Sequence, residues 1–175
     1  MVEDILKNEG TTKVNPSFNL SGKFVVVTGA SRGIGQALAV GMARAGADVA
    51  LIGRDDGALA DTEKQIHALG QAAHRFVCDL RDTGAVRKTV EDIELHQPID
   101  VLINNAGLNI RIPALQVTED QWQTILDTDL RGAFFMAQQV GQSMVARQRG
   151  SIINVSSVGG HVALRTGVAY AAAKA

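Results

Sequence analysis

Cysteine is almost missing. Cys78 is the only one among 175 residues, so no internal disulfide can form, and a reducing cytoplasmic setting is the expectation. Proline occurs three times and aromatic residues make up 4%, which excludes proline-rich and collagen-like architectures. Neither sign of charge prevails. The 17 Lys and Arg against 18 Asp and Glu leave a net charge of −1, so electrostatics gives no reason to expect a nucleic-acid or membrane partner. Long apolar runs are absent too. The longest uncharged stretch, Gly132 to Ala146, carries Gln138, Gln139, Gln142 and Ser143 and is too short to span a bilayer. The opening MVEDILKNEGTTKVNP has no signal-peptide core. His67, His74, His96 and His161 have no metal-ligand spacing with one another or with Cys78, so no metal is expected.

What is plentiful is glycine, at 18 residues, within a composition that is 46% hydrophobic and 20% charged. That is the make-up of one globular domain with a real core. Residues 1–17 are polar and read as an N-terminal extension, expected to be loosely held. Residues 18–175 form one unit without repeats. Here five short apolar runs alternate with helical stretches: FVVVT (24–28), DVALIG (48–53), HRFVC (74–78), IDVLIN (99–104) and SIINVS (151–156). Each is apolar at successive positions, as in strands buried on both faces of a parallel sheet. Ile34, Ala37, Leu38, Gly41, Met42 and Ala45 share one face of a first helix. Residues 55–70 and 82–96 supply two more helices, the latter stopped by Pro98. Thr118 with Gln121 reads as a capping box opening a long helix. Its inward stripe runs Trp122, Ile125, Leu126, Asp129, Ala133, Met136, Val140 and Met144. A carboxylate buried in that stripe needs a partner or a proton. The alternation predicts an α/β fold with a doubly wound parallel sheet.

Directly after the first run comes Thr28-Gly29-Ala30-Ser31-Arg32-Gly33-Ile34-Gly35. Gly29 permits a sharp turn. Gly33 and Gly35 remove side chains where a pyrophosphate would approach the backbone and a helix N-terminus. The spacing is G-x-x-x-G-x-G rather than the commonest dinucleotide fingerprint, G-x-G-x-x-G, and without a ligand it is simply a tight strand–helix turn. Arg54 follows the second run, where an NAD site of this class would place an acid for the ribose hydroxyls. Arg32 and Arg54 together suit a 2′-phosphate, hence NADP, with NAD also compatible. The alternative is two solvated surface charges, and Asp55 and Asp56 would blunt the site. Asp79, followed by Leu80, is either an acceptor for an adenine amino group or a turn aspartate. Asn104, Asn105, Ala106 and Gly107 lie at the carboxyl end of the fourth run, where ligands bind in such sheets.

Tyr170 and Lys174, four residues apart, share one helical face. A phenol ordinarily ionises near pH 10, and a neighbouring ammonium favours its phenolate, which suits acid–base work. Ser157, thirteen residues before Tyr170, stands at a strand end, where its hydroxyl either polarises a substrate oxygen or forms a turn.

In this order and spacing TGASRGIG, NNAG, Ser157 and AYAAAK resemble the short-chain dehydrogenase/reductase family over residues 18–175. The resemblance implies a Rossmann-like sheet of strand order 3-2-1-4-5. It implies an NAD(P)-dependent oxidoreductase acting on an alcohol or carbonyl, a small-molecule substrate and a homo-oligomer. Cofactor contacts would come from Gly29, Ser31, Arg32, Gly33, Ile34, Gly35, Arg54, Asp79, Leu80, Asn105, Ala106 and Gly107, with Tyr170 and Lys174. Tyr170 would be the acid/base, Lys174 would bind the nicotinamide ribose and favour the phenolate, and Ser157 would position the substrate oxygen. Hydride transfer itself is the cofactor's chemistry.

Two departures stand out. Most members read Asn-x-x-Gly where this chain has Asp129-Leu130-Arg131-Gly132, and that Asn holds a water of the proton relay. The chain also ends one residue after Lys174, whereas members continue through two more strands and a substrate loop. A C-terminally truncated chain with little turnover is therefore an expectation. NNAGLNIRIP and DTDLRG are similar to the branch containing gluconate and deoxygluconate dehydrogenases, some of which carry Asp at this position. That points to a polyol, sugar acid or related carbonyl, with Arg111 either facing a carboxylate or lying on the surface. The rivals are a 3-oxoacyl carrier-protein reductase and an inactive nucleotide-binding fragment. His161 reads as a loop residue.

Overall fold

A computed structural model describes residues 18–175; the N-terminal extension at 1–17 lies outside the described residues. The order is β1 (Phe24–Thr28), α1 (Gly33–Arg44), β2 (Asp48–Gly53), α2 (Asp56–His67), β3 (Ala73–Val77), α3 (Thr83–Glu94), β4 (Val101–Asn104), α4 (Glu119–Leu126), α5 (Ala133–Ala146), β5 (Ser151–Asn154) and α6 (Val168–Lys174). The strands form one parallel sheet of order β3-β2-β1-β4-β5. β1 is central and fully buried, because helices cover both of its faces. Alternate residues feed two cores. Phe24, Val26, Ile52 and Leu102 pack with Val86, Ile93, Met136 and Val140 beneath α3 and α5. Val25, Val27, Leu51 and Ile103 pack with Ala39, Ala43, Leu59 and Ile66 beneath α1 and α2.

The helix starts follow local chemistry. Asp55 accepts the Ala58 N–H, Asp82 accepts those of Gly84 and Ala85, and the Thr118–Gln121 capping box is complete. α1 differs: Arg32 stands at its N-cap without a side-chain cap, so its first-turn N–H groups remain available.

Four expectations need correction. The edge runs are not buried on both faces: β3 has one buried residue and β5 none, because each has a strand neighbour on one side only among the described residues. The buried face of α1 is Gly35, Ala39, Val40 and Ala43, not the face running from Ile34 through Gly41. Apolar residues encircle this helix, so periodicity could not choose a face; close approach to the sheet selects the small residues, and Ile34 is left 67% exposed. The long helix is also interrupted. Asp127–Gly132 is a π-helical turn, which brings both Asp129 and Gly132 inward before Met136, Val140 and Met144 resume the stripe. Trp122 is not in that core. Ile125 packs on Ala169 and Ala173 of α6, while Trp122 lies 38% exposed in a shallow depression beside Val168.

Candidate active site

A cleft of about 540 Å³ opens at the carboxyl ends of the strands, where the loops after β1, β2, β3 and β4 meet. Thr28, the last residue of β1, organises its floor. Its hydroxyl accepts the N–H groups of Asn105 and Ala106, both at 3.0 Å, and its carbonyl accepts the Asn105 amide at 3.0 Å. The glycine loop therefore sits directly against the loop after β4. Gly29 has φ +67°, and a Cβ there would stand 2.9 Å from Ala106 Cα. A Cβ on Gly35 would stand 2.1 Å from the Gly29 carbonyl oxygen, so packing within the loop already requires this glycine, which also lines the cleft. Gly33 is the opposite case: at φ +57° it has nothing within 4 Å of a Cβ and opens onto the cleft. Ser31, Arg32 and Ile34 line the same rim.

Arg54 and Arg32 both line the cleft, and neither makes a salt bridge among the described residues. The acids beside Arg54 are engaged elsewhere, Asp55 in capping α2 and Asp56 in pairing with Arg75. Gly53 lacks a side chain because α2 closes over it, with a Cβ falling 3.0 Å from Leu59 Cδ2. Asp79 receives the Arg81 Nε–H at 3.0 Å, and the hydrogen bonds from Arg81 hold its carboxyl below the usual range despite partial burial; the charge of Arg54 acts the same way. Leu80 is buried against Gly132, where a Cβ would lie 2.8 Å from the Leu80 Cβ.

The far end of the cleft holds the titratable cluster. Asp129, delivered by the π turn, has a fully buried side chain. Its Oδ1 accepts the Leu108 N–H at 2.8 Å, and its Oδ2 faces Lys174 Nζ at 3.7 Å with no hydrogen-bond partner. Burial pushes its carboxyl above the usual range, opposed only in part by the Leu108 N–H and by Lys174. Lys174 Nζ also donates to the Val155 carbonyl at 3.3 Å, so α6 is pinned to the end of β5. Tyr170, one turn before Lys174, is half-buried and lines the cleft. Asn104 donates to the Ala133 carbonyl and to Asn154, tying the start of α5 to both strands.

Ser157 accepts the Gly159 N–H at 3.1 Å within its own turn, and it is the neighbouring Ser156 that lines the cleft, donating to the Lys174 carbonyl at 2.7 Å. Arg111 and His161 are exposed, and neither lines the cleft. Sequence reasoning passed over Thr28, Leu108, Asn109, Thr128 and Ser156. Only Thr28 carried a signal, as a polar residue ending an otherwise apolar run. No group of three metal-binding side chains occurs among the described residues.

The chain is similar to known proteins along most of its length. The chain is 43% identical over 159 residues to gluconate 5-dehydrogenase of Gluconobacter oxydans, covering 90% of this chain and 62% of that protein. It is 37% identical over 145 residues to 2-dehydro-3-deoxy-D-gluconate 5-dehydrogenase of Pseudoalteromonas atlantica, covering 81% of this chain and 56% of that protein. The chain thus spans less than two thirds of these relatives. The crystal structure of a gluconate 5-dehydrogenase from Burkholderia cenocepacia in complex with NADP and tartrate superimposes with a TM-score of 0.85 at 37% identity, covering 90% of this chain and 62% of that one. A 3-oxoacyl (acyl-carrier-protein) reductase from Agrobacterium tumefaciens with NADP bound gives 0.86 at 35% identity, covering 90% of this chain and 61% of that one. Residues 23–175 match the family described as short chain dehydrogenase, and the chain belongs to that family.

Proposed function

We propose that this chain carries the cofactor site and catalytic residues of an NADP-preferring dehydrogenase that interconverts an alcohol and a ketone on a polyol or sugar acid. The observation that carries the reading is the meeting of Tyr170, Lys174 and Asp129 at one end of a cleft whose other end is an open glycine loop. The loop suits a dinucleotide: a side chain at Gly33 would occupy the cleft, and the N-terminus of α1 has no side-chain cap. Gly29, Ser31, Gly33 and Ile34 would hold the pyrophosphate side, Arg32 and Arg54 a 2′-phosphate, and Asp79 with Leu80 the adenine. Bound NADP supplies the hydride acceptor or donor.

The chain's own groups handle the proton. The Tyr170 hydroxyl gives a proton to the substrate oxygen, or takes one from it. Lys174 sets an ammonium beside that phenol, and Asp129 with the Val155 carbonyl fixes the ammonium. Ser157 steadies the substrate oxygen once its hydroxyl leaves its local turn. A homo-oligomer belongs to the same reading, because the uncharged α5 leaves Phe134 and Val145 exposed.

The likeness to the 3-oxoacyl reductase supports an acyl thioester as the second substrate class. The deciding assay gives the full-length gene product NADPH with 5-ketogluconate or with an acetoacetyl thioester. Turnover on the order of 1 s⁻¹ or more is expected with the sugar acid. Tyr170→Phe should lower kcat by about a hundredfold or more with the NADPH Kd unchanged. Binding of NADPH without turnover of either ketone refutes the reading.

A further inference from the structure

The loop that follows Gly107 alternates. Leu108 and Ile110 pack into the small apolar cluster around Ile125 and Ala169, whereas Asn109, between them, turns the other way and lines the cleft. Its backbone is held on both sides, through the Leu108 N–H on Asp129 and through the Gly167 N–H, which donates to the Ile112 carbonyl at 3.3 Å. Its carboxamide lies over Gly167, the residue that opens α6 three positions before Tyr170. Gly167 has φ +84°, and a Cβ there would stand 2.6 Å from Asn109 Oδ1. Only glycine therefore leaves room for this amide. The Asn109 side chain is exposed in the cleft, beside the end that also holds Thr128, Ser156, Tyr170 and Lys174, and has no hydrogen-bond partner among the described residues.

We propose that Asn109 is a specificity-determining residue that binds a hydroxyl group neighbouring the reacting carbon of the substrate, and that Gly167 positions its amide on the helix that carries Tyr170. A carboxamide offers an acceptor and two donors, which matches a hydroxyl that must donate and accept at once. A plain 3-oxo ester has no hydroxyl beside its ketone carbon: its ester carbonyl can only accept, and it has no proton to donate to the amide oxygen. A site that bonds a substrate hydroxyl favours the hydroxylated ketone, because a ketone without one displaces water from the exposed amide and gives back no hydroxyl to bond. The inference rests on the dehydrogenase reading above.

The test uses the full-length enzyme with NADPH and two ketones, 5-ketogluconate and ethyl acetoacetate. Asn109→Leu should raise KM for 5-ketogluconate about tenfold, the effect of one lost hydrogen bond. The KM for ethyl acetoacetate, both kcat values and the NADPH Kd should stay unchanged. Asn109→Ser should recover part of the loss, and Gly167→Ala should reproduce the KM effect by displacing the amide. If Gly167→Ala does not fold, the two Asn109 variants decide, since that side chain is exposed. Equal changes on both ketones, or none on either, overturn the inference while leaving the dehydrogenase reading intact. So does a parent enzyme that reduces ethyl acetoacetate and not 5-ketogluconate. A parent that reduces neither ketone brings down both.

Discussion

Asp129 Oδ2 faces Lys174 Nζ across 3.7 Å, and the two can do so only because residue 107 between them has no side chain. A Cβ at Gly107 would lie 2.7 Å from the carboxylate oxygen and 3.2 Å from the ammonium. Gly107→Ala should therefore separate the pair and shift Lys174 away from Tyr170. An ångström of misplacement costs on the order of a hundredfold in rate. The expected result is a kcat lowered by about that factor with an unchanged circular dichroism spectrum. Full activity in this variant would show that the pair is not needed.

The buried carboxylate gives a signed pH dependence. An aspartate starts from 3.8, and burial lifts Asp129 above that value in the folded protein. Between the two values the folded state keeps a proton that the unfolded state has released, so rising pH removes stability across this window. Asp129→Asn keeps an acceptor for the Leu108 N–H and carries no charge. Its stability relative to the parent should increase from acid towards neutral pH and then level off. Urea unfolding of both proteins across that range checks this, and a difference independent of pH contradicts it. In the enzyme assay the same substitution should move one limb of the pH–rate profile.

Two glycines of one loop should fail in different ways. Gly35→Ala drives a methyl into the Gly29 carbonyl and should cost about 1–3 kcal/mol of stability or more. Gly33→Ala meets no protein atom, and its left-handed backbone costs only about 1–2 kcal/mol. Its methyl points into the cleft, so NADPH affinity should fall disproportionately. Thermal midpoints measured beside NADPH fluorescence titrations separate the two effects.

Arg54 has no acidic partner among the described residues and lines the cleft. Arg54→Asp should weaken NADPH binding about ten- to a hundredfold, the scale of a lost charged hydrogen bond, and leave NADH binding nearly unchanged. Equal affinity of the parent for both cofactors would remove the basis for this preference.

The central strands were legible because both of their faces are covered. Burial on both sides makes every residue of FVVVT apolar, and β1 begins and ends where that run does. The Tyr170–Lys174 pair was legible because helical spacing alone brings it together. The buried face of α1 was not, since apolar residues lie all round its axis and only close approach to the sheet, with Gly35 against Gly29, selects the small ones. Asp129 was found as a polar residue in an apolar stripe, but the π turn that aims it was hidden. A 3.6-residue period cannot register one inserted residue, and that is also why Trp122 was assigned to the core. Asn109 left no trace in the sequence. Its importance comes from Gly167, 58 positions later, which only the fold brings beside it.

The apolar cluster beneath α6 has just three buried members, Ile125, Ala169 and Ala173, two of them alanines. Among the described residues this helix is held by far less buried surface than the central strands, and in the 175-residue chain it can open as a separate cooperative unit. Tyr170 and Lys174 ride on that unit, whereas the glycine loop is anchored to the sheet. Warming the 175-residue chain should therefore free Tyr170 and Lys174 while the glycine loop stays in place. In hydrogen exchange the amides of α6 should trade with solvent well before those of β1.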